Sequence, residues 1–193
     1  MSCANPVSAA VLTDYWIGML PKSEEDAVEE HLFACDECGG GLREVIALAE
    51  AIRSLARQGS LLMVVSESFL KRLEEQGLRV REYTPPNGGN VACTVSAEDD
   101  FLIGRLTADL HGATRVDLAF CDERGAEKIR LADIPFDSES AGVVFQQSIT
   151  YAKAAPSETM IARLIAFDPT GHESLLGEFT FNHTRTLPGP GAW

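Results

Sequence analysis

Long apolar runs are missing from this 193-residue chain: even Leu61–Val65 spans only five residues. A bilayer-spanning helix needs about 20, so no membrane span is expected. Basic residues are also scarce, 16 Lys and Arg against 29 Asp and Glu, which leaves a net charge of −13. Nucleic acid and anionic lipid repel such a chain, so direct binding to either is not expected, and a protein partner with basic surface fits better. The start, Met1 to Pro6, lacks a basic region followed by an apolar core, so it does not read as an export leader and a cytoplasmic location is expected. No Gly-rich phosphate loop, nucleophile elbow or Ser/His/Asp arrangement is visible, and catalysis is not expected. The cysteines number five. An odd count without an export signal argues against a disulfide framework and for metal or redox chemistry. What remains is 45% hydrophobic and 23% charged, the balance of a folded protein.

The N-terminal third has a helical period. From Ser8 to Leu20, the residues Val11, Leu12, Tyr15, Trp16, Met19 and Leu20 fall at spacings of three and four, and Pro21 closes the segment. Ser23, followed by Glu24, Glu25 and Asp26, reads as a second helix start, with Val28, His31, Leu32 and Cys35 inward. A third helix is expected from about Leu42, after Gly39-Gly40-Gly41, with Leu42, Val45, Ile46, Ala49, Ile52, Leu55 and Ala56 inward. These helices define an expected domain at 1–58. So small a core is marginal by burial alone.

Three soft metal ligands lie within eight residues at the second and third helices: His31, Cys35 and Cys38. On a helix His31 and Cys35, four apart, sit one above the other on one face and can share an ion, with Cys38 a short turn away. Imidazole and thiolates favour zinc, which takes four ligands and contributes on the order of 10 kcal/mol to the folding of small domains. The local count leaves the fourth ligand open.

This segment, roughly residues 7–45, resembles the zinc-binding anti-sigma factors, bacterial proteins that hold a sigma factor away from RNA polymerase. The resemblance rests on Leu12, Tyr15, Gly18 and Leu20, on the acidic helix start at Glu24–Asp26, and on Val28-Glu29-Glu30-His31-Leu32 running into Cys35-Asp36-Glu37-Cys38. It implies a fourth ligand near the start of the first helix. Cys3 is the candidate there, reached by an N-terminal arm folding back, with Asp14 or an exogenous ligand such as water as alternatives. It also implies an extracytoplasmic-function sigma factor as partner, inhibited by occlusion, and in some members release when zinc-bound thiols oxidise. Residues 1–58 carry ten acids and four bases, a net −6, which would be drawn to the basic surface of a DNA-contacting sigma domain. Two other readings are a zinc-stabilised adaptor with a different partner and a thiol enzyme using Cys35 and Cys38.

Residues 59–77 read as a connector or a fourth helix, with Ser66 able to cap a turn carrying Phe69, Leu70 and Leu73. In the resemblance this stretch would supply a further sigma-contacting helix. Beyond Leu78 the period changes to two, and eight strand-like runs separated by turns predict an antiparallel, immunoglobulin-like β-sandwich over 78–193, giving an α+β chain. Cys93 and Cys121 read as buried small residues. His111, His172 and His183 read as separate, solvated or hydrogen-bonded side chains without metal spacing, and Asp99-Asp100 as a solvated turn.

Overall fold

The computed structural model describes residues 3–138 and 140–186. It divides into two compact units, Met1–Arg57 and Gln58–Trp193.

The first unit contains α1 (Ala9–Trp16), α2 (Lys22–Ala34) and α3 (Asp36–Arg57). The Ser8 hydroxyl caps α1 by accepting the Val11 amide. The helix stops four residues earlier than its apolar period suggests, because Gly18 turns left-handed (φ 74°) and the Gly18 and Met19 amides bond back to Tyr15 and Asp14. That is a Schellman ending, which glycine permits at no steric cost. Pro21, not Ser23, precedes α2. α3 starts at Asp36 and runs through all three glycines, six residues before the expected Leu42. Its start is fixed by Cys35, whose carbonyl accepts the Gly39 amide (3.0 Å), and by Asp36 and Glu37 near the positive end of the helix. Close packing does not explain Gly39 and Gly40, since a Cβ there would meet only the Arg43 side chain at 3.7–3.8 Å; Gly41 alone is crowded, 3.2 Å from Leu12. Leu12, Val28 and Cys38 form the buried centre. Tyr15 donates to Glu29 (3.3 Å), tying α1 to α2, and the Arg53 guanidinium lies 4.5 Å over the Trp16 ring, tying α1 to α3. Ile52 and Leu55, expected inward, are 49% and 44% exposed, and Leu48 is 63% exposed.

The second unit is a two-sheet sandwich. One sheet has the order β1-β7-β4-β2 and the other β3-β9-β8-β5-β6, built from β1 (Met63–Val64), β2 (Val80–Tyr83), β3 (Asn90–Cys93), β4 (Phe101–Thr107), β5 (Arg115–Cys121), β6 (Glu127–Leu131), β7 (Gly142–Gln147), β8 (Glu158–Phe167) and β9 (Glu173–His183). The central pairings are antiparallel, while the edge strands β2 and β3 pair in parallel with β4 and β9. Alternation of apolar residues sets which face is buried and says nothing of pairing direction. The core between the sheets is made by Val116, Leu118, Phe120, Ala162, Leu164, Phe179 and Phe181 from one side and Leu106, Val143 and Phe145 from the other. Gly104 leaves the space that the Phe145 ring fills.

The stretch 59–77 belongs to this unit. Its helix α4 (Glu67–Glu75), capped by Ser66, packs Leu70 and Leu73 against Phe101, Ile103 and Val144 on the outer face of the first sheet. Arg105, on that face, pairs with Glu67 of α4 and with Glu82 of β2. A six-residue helix, α5 (Ile149–Ala154), follows β7; it is too short for a period to reveal in sequence. Asp99 is not in a solvated turn. It is buried, and accepts Arg81 (3.2 Å) and the Ser96 amide (2.7 Å), while Asp100 accepts the Arg79 amide. Cys121 is buried and Cys93 half-buried, both with free thiols.

Candidate metal centre

The end of α2 and the start of α3 meet at Cys35. Its backbone is extended (φ −132°, ψ 102°), so the helix that would have stacked Cys35 above His31 ends between them. The kink turns the chain so that one residue ends α2 and its carbonyl begins α3. Cys38, in the first turn of α3, is buried. The Cys38 amide hydrogen-bonds to Cys35, and this bond leads the effects that lower the Cys35 thiol to about 7 against the opposing effect of burial. A helix N-terminus favours a thiolate there.

Cys3 completes the group from the segment ahead of α1. Its amide donates to the Glu37 carboxylate (2.6 Å), which holds the arm on the first turn of α3. Its sulfur lies 3.5 Å from His31 Nε2 and 3.9 Å from Cys38 Sγ, and His31 Nε2 lies 3.2 Å from Cys38 Sγ. One ligand atom from each of Cys3, His31, Cys35 and Cys38 lies within 4.8 Å of the other three. A four-coordinate ion with metal–sulfur bonds of about 2.3 Å and metal–nitrogen bonds of about 2.0 Å sets its ligands about 3.8 Å (S to S) and 3.5 Å (S to N) apart. Cys3, His31 and Cys38 therefore stand near the spacings of a tetrahedral ion, with Cys35 within 4.8 Å of each. Asp14 lies outside the group. The Val7 amide points at Cys38 Sγ (3.5 Å), the kind of outer contact that steadies a ligating sulfur. Val7 was not singled out in the sequence, because a backbone contact leaves no residue-type signature, and Glu37 entered only as part of the Cys35–Cys38 motif and not as an anchor for Cys3.

A scan of protein-family models gives no match, and neither does a search of curated proteins. Among solved structures, the chain is similar to "Structures of Clostridium thermocellum CbhA fibronectin(III)-like modules" at 14% identity, covering 50% of this chain and 87% of that one with a TM-score of 0.30. It is also similar to "N-terminal domain of phage TP901-1 ORF48" at 10% identity, 55% and 98% coverage and a TM-score of 0.31.

The three other histidines are not gathered with these ligands. His111 and His172 are exposed in turns. His183, at the end of β9, is different from its expected solvated state: its Nε2 is buried without a hydrogen-bond partner.

Proposed function

We propose that the chain is a cytoplasmic, zinc-dependent anti-sigma factor, in which Cys3, His31, Cys35 and Cys38 hold a structural zinc ion and the helical unit binds an extracytoplasmic-function sigma factor. The observation that carries the zinc reading is the convergence of one imidazole and three sulfurs from sites 35 residues apart in sequence, a donor set that suits zinc and leaves no open position for catalysis. Bound there, zinc supplies folding free energy and no reaction step.

Partner binding is supported by the surface of α3. Leu48, Ile52 and Leu55 recur at three- and four-residue spacing and are exposed, which gives the helix an apolar stripe available to another protein. The acidic balance of the unit, net −6 over residues 1–58, favours a basic partner. The packing of α4 on the sandwich supports a reading in which α1–α3, rather than 59–77, would contact sigma. The second reading, a zinc-stabilised adaptor for another partner, shares the same centre and the same stripe.

Affinity capture of the tagged chain from its own cells under reducing conditions tests the proposal, with co-purifying proteins and zinc quantified together. A near-stoichiometric sigma factor, lost in Cys35→Ser, is the expected result. Zinc without any sigma factor across growth and stress conditions would favour the adaptor. Peroxide or diamide treatment of the complex tests release by thiol oxidation: zinc and sigma both retained at doses that oxidise other thiols would refute it.

A further inference from the structure

The second unit has a partly open cavity at one end of its sandwich. Leu102 and Phe145 come from one sheet, Met160 and Phe181 from the other, and Ala152 and Ala155 of α5 line it as well. The free volume is about 60 Å³, room for about four to six waters at about 10–15 Å³ each. Strand register sets Cys93, His183 and Glu158 side by side across β3, β9 and β8, and all three line the cavity.

These three polar groups are in different states. Glu158 is engaged, accepting the Tyr151 hydroxyl at 2.9 Å. Burial pushes the Cys93 thiol up to about 11, so it is a neutral wall rather than a nucleophile. His183 Nε2 is buried and has no partner, an uncommon state for a ring nitrogen in a folded protein. Burial also pushes the His183 ring below its ordinary value, which keeps it neutral near pH 7, so Nε2 offers a single hydrogen-bonding position of either sense.

A second pocket adjoins the cavity. An outer groove of about 370 Å³ shares Gln147, Tyr151, Glu158 and Met160 with it, and between these side chains run the Tyr151–Glu158 bond and a 3.7 Å contact from Gln147 Nε2 to Met160 Sδ. A metal is the weaker occupant. Among the described residues, no His, Cys, Asp or Glu group besides the one in the first unit brings its ligand atoms close enough together. A carboxylate would face Glu158 with no cation lining the cavity, and either kind of ion would lose its hydration against apolar walls.

We propose that this cavity binds a small, neutral, oxygenated hydrocarbon of about four to six non-hydrogen atoms, such as a short branched alcohol or aldehyde. Its oxygen pairs with His183 Nε2 and its carbon chain lies against Phe145, Met160 and Phe181. Such a ligand stabilises the sandwich by mass action, giving the second unit a chemical input that does not depend on what the first unit binds.

The test is a titration of the full chain, with methionine methyl and histidine ring carbons labelled, followed by NMR. The probes are 2-methylpropan-1-ol and 1-chloro-2-methylpropane, which have nearly the same shape and differ in the hydrogen-bonding oxygen. The alcohol is expected to shift the Met160 methyl and His183 ring signals saturably, with the chloride about tenfold weaker. In His183→Phe the two are expected to bind alike. Equal binding of both probes by the natural chain would overturn the proposal, as would the absence of any saturable shift at tens of millimolar probe. Both results are read on the unsubstituted protein, so a folding defect in the variant leaves the test intact.

Discussion

Replacing Gly39 and Gly40 with alanine is expected to strengthen the first unit, although both sit inside its ligand-bearing turn. Neither has a positive φ, and a Cβ at either meets nothing nearer than the Arg43 side chain at 3.7 Å. Glycine in a helix interior costs about 0.8–1.0 kcal/mol relative to alanine, so the pair is worth about 1.5–2 kcal/mol. The ligands reach their positions only in the folded unit, so folding and metal binding share this free energy. Since about 1.4 kcal/mol is tenfold, the G39A/G40A chain should bind zinc about 10- to 30-fold more tightly if the metal-free unit is unfolded; if that unit is folded, the gain appears as a higher melting temperature instead. Chelator competition and far-UV circular dichroism melts of the metal-free protein read the two cases. Gly41→Ala is the contrast: its Cβ would stand 3.2 Å from Leu12, so it should gain less or lose. A double variant that neither melts higher nor binds more tightly would refute the reasoning.

Three further outcomes follow from the packing. Asp117 is fully buried and accepts Arg115, the Asp133 amide and Arg130, with Arg115 foremost in holding its carboxyl at about 2. Because the folded value lies below the unfolded one, about 3.9, this carboxylate contributes about 2 kcal/mol that is fully present above about pH 4 and fades between pH 4 and 2; urea titrations across that range should show a shallower loss in Asp117→Asn. Gly104→Ala drives a Cβ to 2.3 Å from the Phe145 ring, which should cost the sandwich about 1–3 kcal/mol in urea denaturation and be relieved by Phe145→Leu. His31→Ala, or chelation, should melt the helices of residues 9–57 while leaving the β-rich unit protected from hydrogen exchange; loss of both units in one transition would contradict two separate cores.

Much of this architecture was legible because it depends on periodicity. The strand at Arg115–Cys121 coincides with its apolar alternation, whereas the change to a two-residue period after Leu78 comes about 20 residues after the second unit begins at Gln58, because β1 is only two residues long and α4 has a helical period. The misreadings come from effects that periodicity does not carry. Three consecutive glycines suggested a late start for α3, yet a cap at Cys35 and acids in the first turn outweigh their propensity. Ile52 and Leu55 follow the inward period, but nothing in their own unit covers them. Asp99 looked solvated, and His183 solvated or hydrogen-bonded, because their partners and surroundings lie far away in sequence, Arg81 for one and a cavity wall for the other. At the candidate centre the local spacing named His31, Cys35 and Cys38. Cys3 was named only through the resemblance, since a ligand 28 residues upstream of His31 has no local pattern to announce it.

The separate origin of Cys3 bears on how quickly an ion held here could be exchanged. Three donors come from one eight-residue stretch, and the fourth from an arm held on α3 by the Cys3 amide on Glu37 and the Val7 amide on Cys38 Sγ. Fraying of that arm removes one ligand without disturbing the turn that carries the others, and admits water or a competing thiol at the vacated position. An ion held here would then be expected to exchange first at Cys3, with opening of the N-terminal arm rather than unfolding of α2 and α3 as the first step.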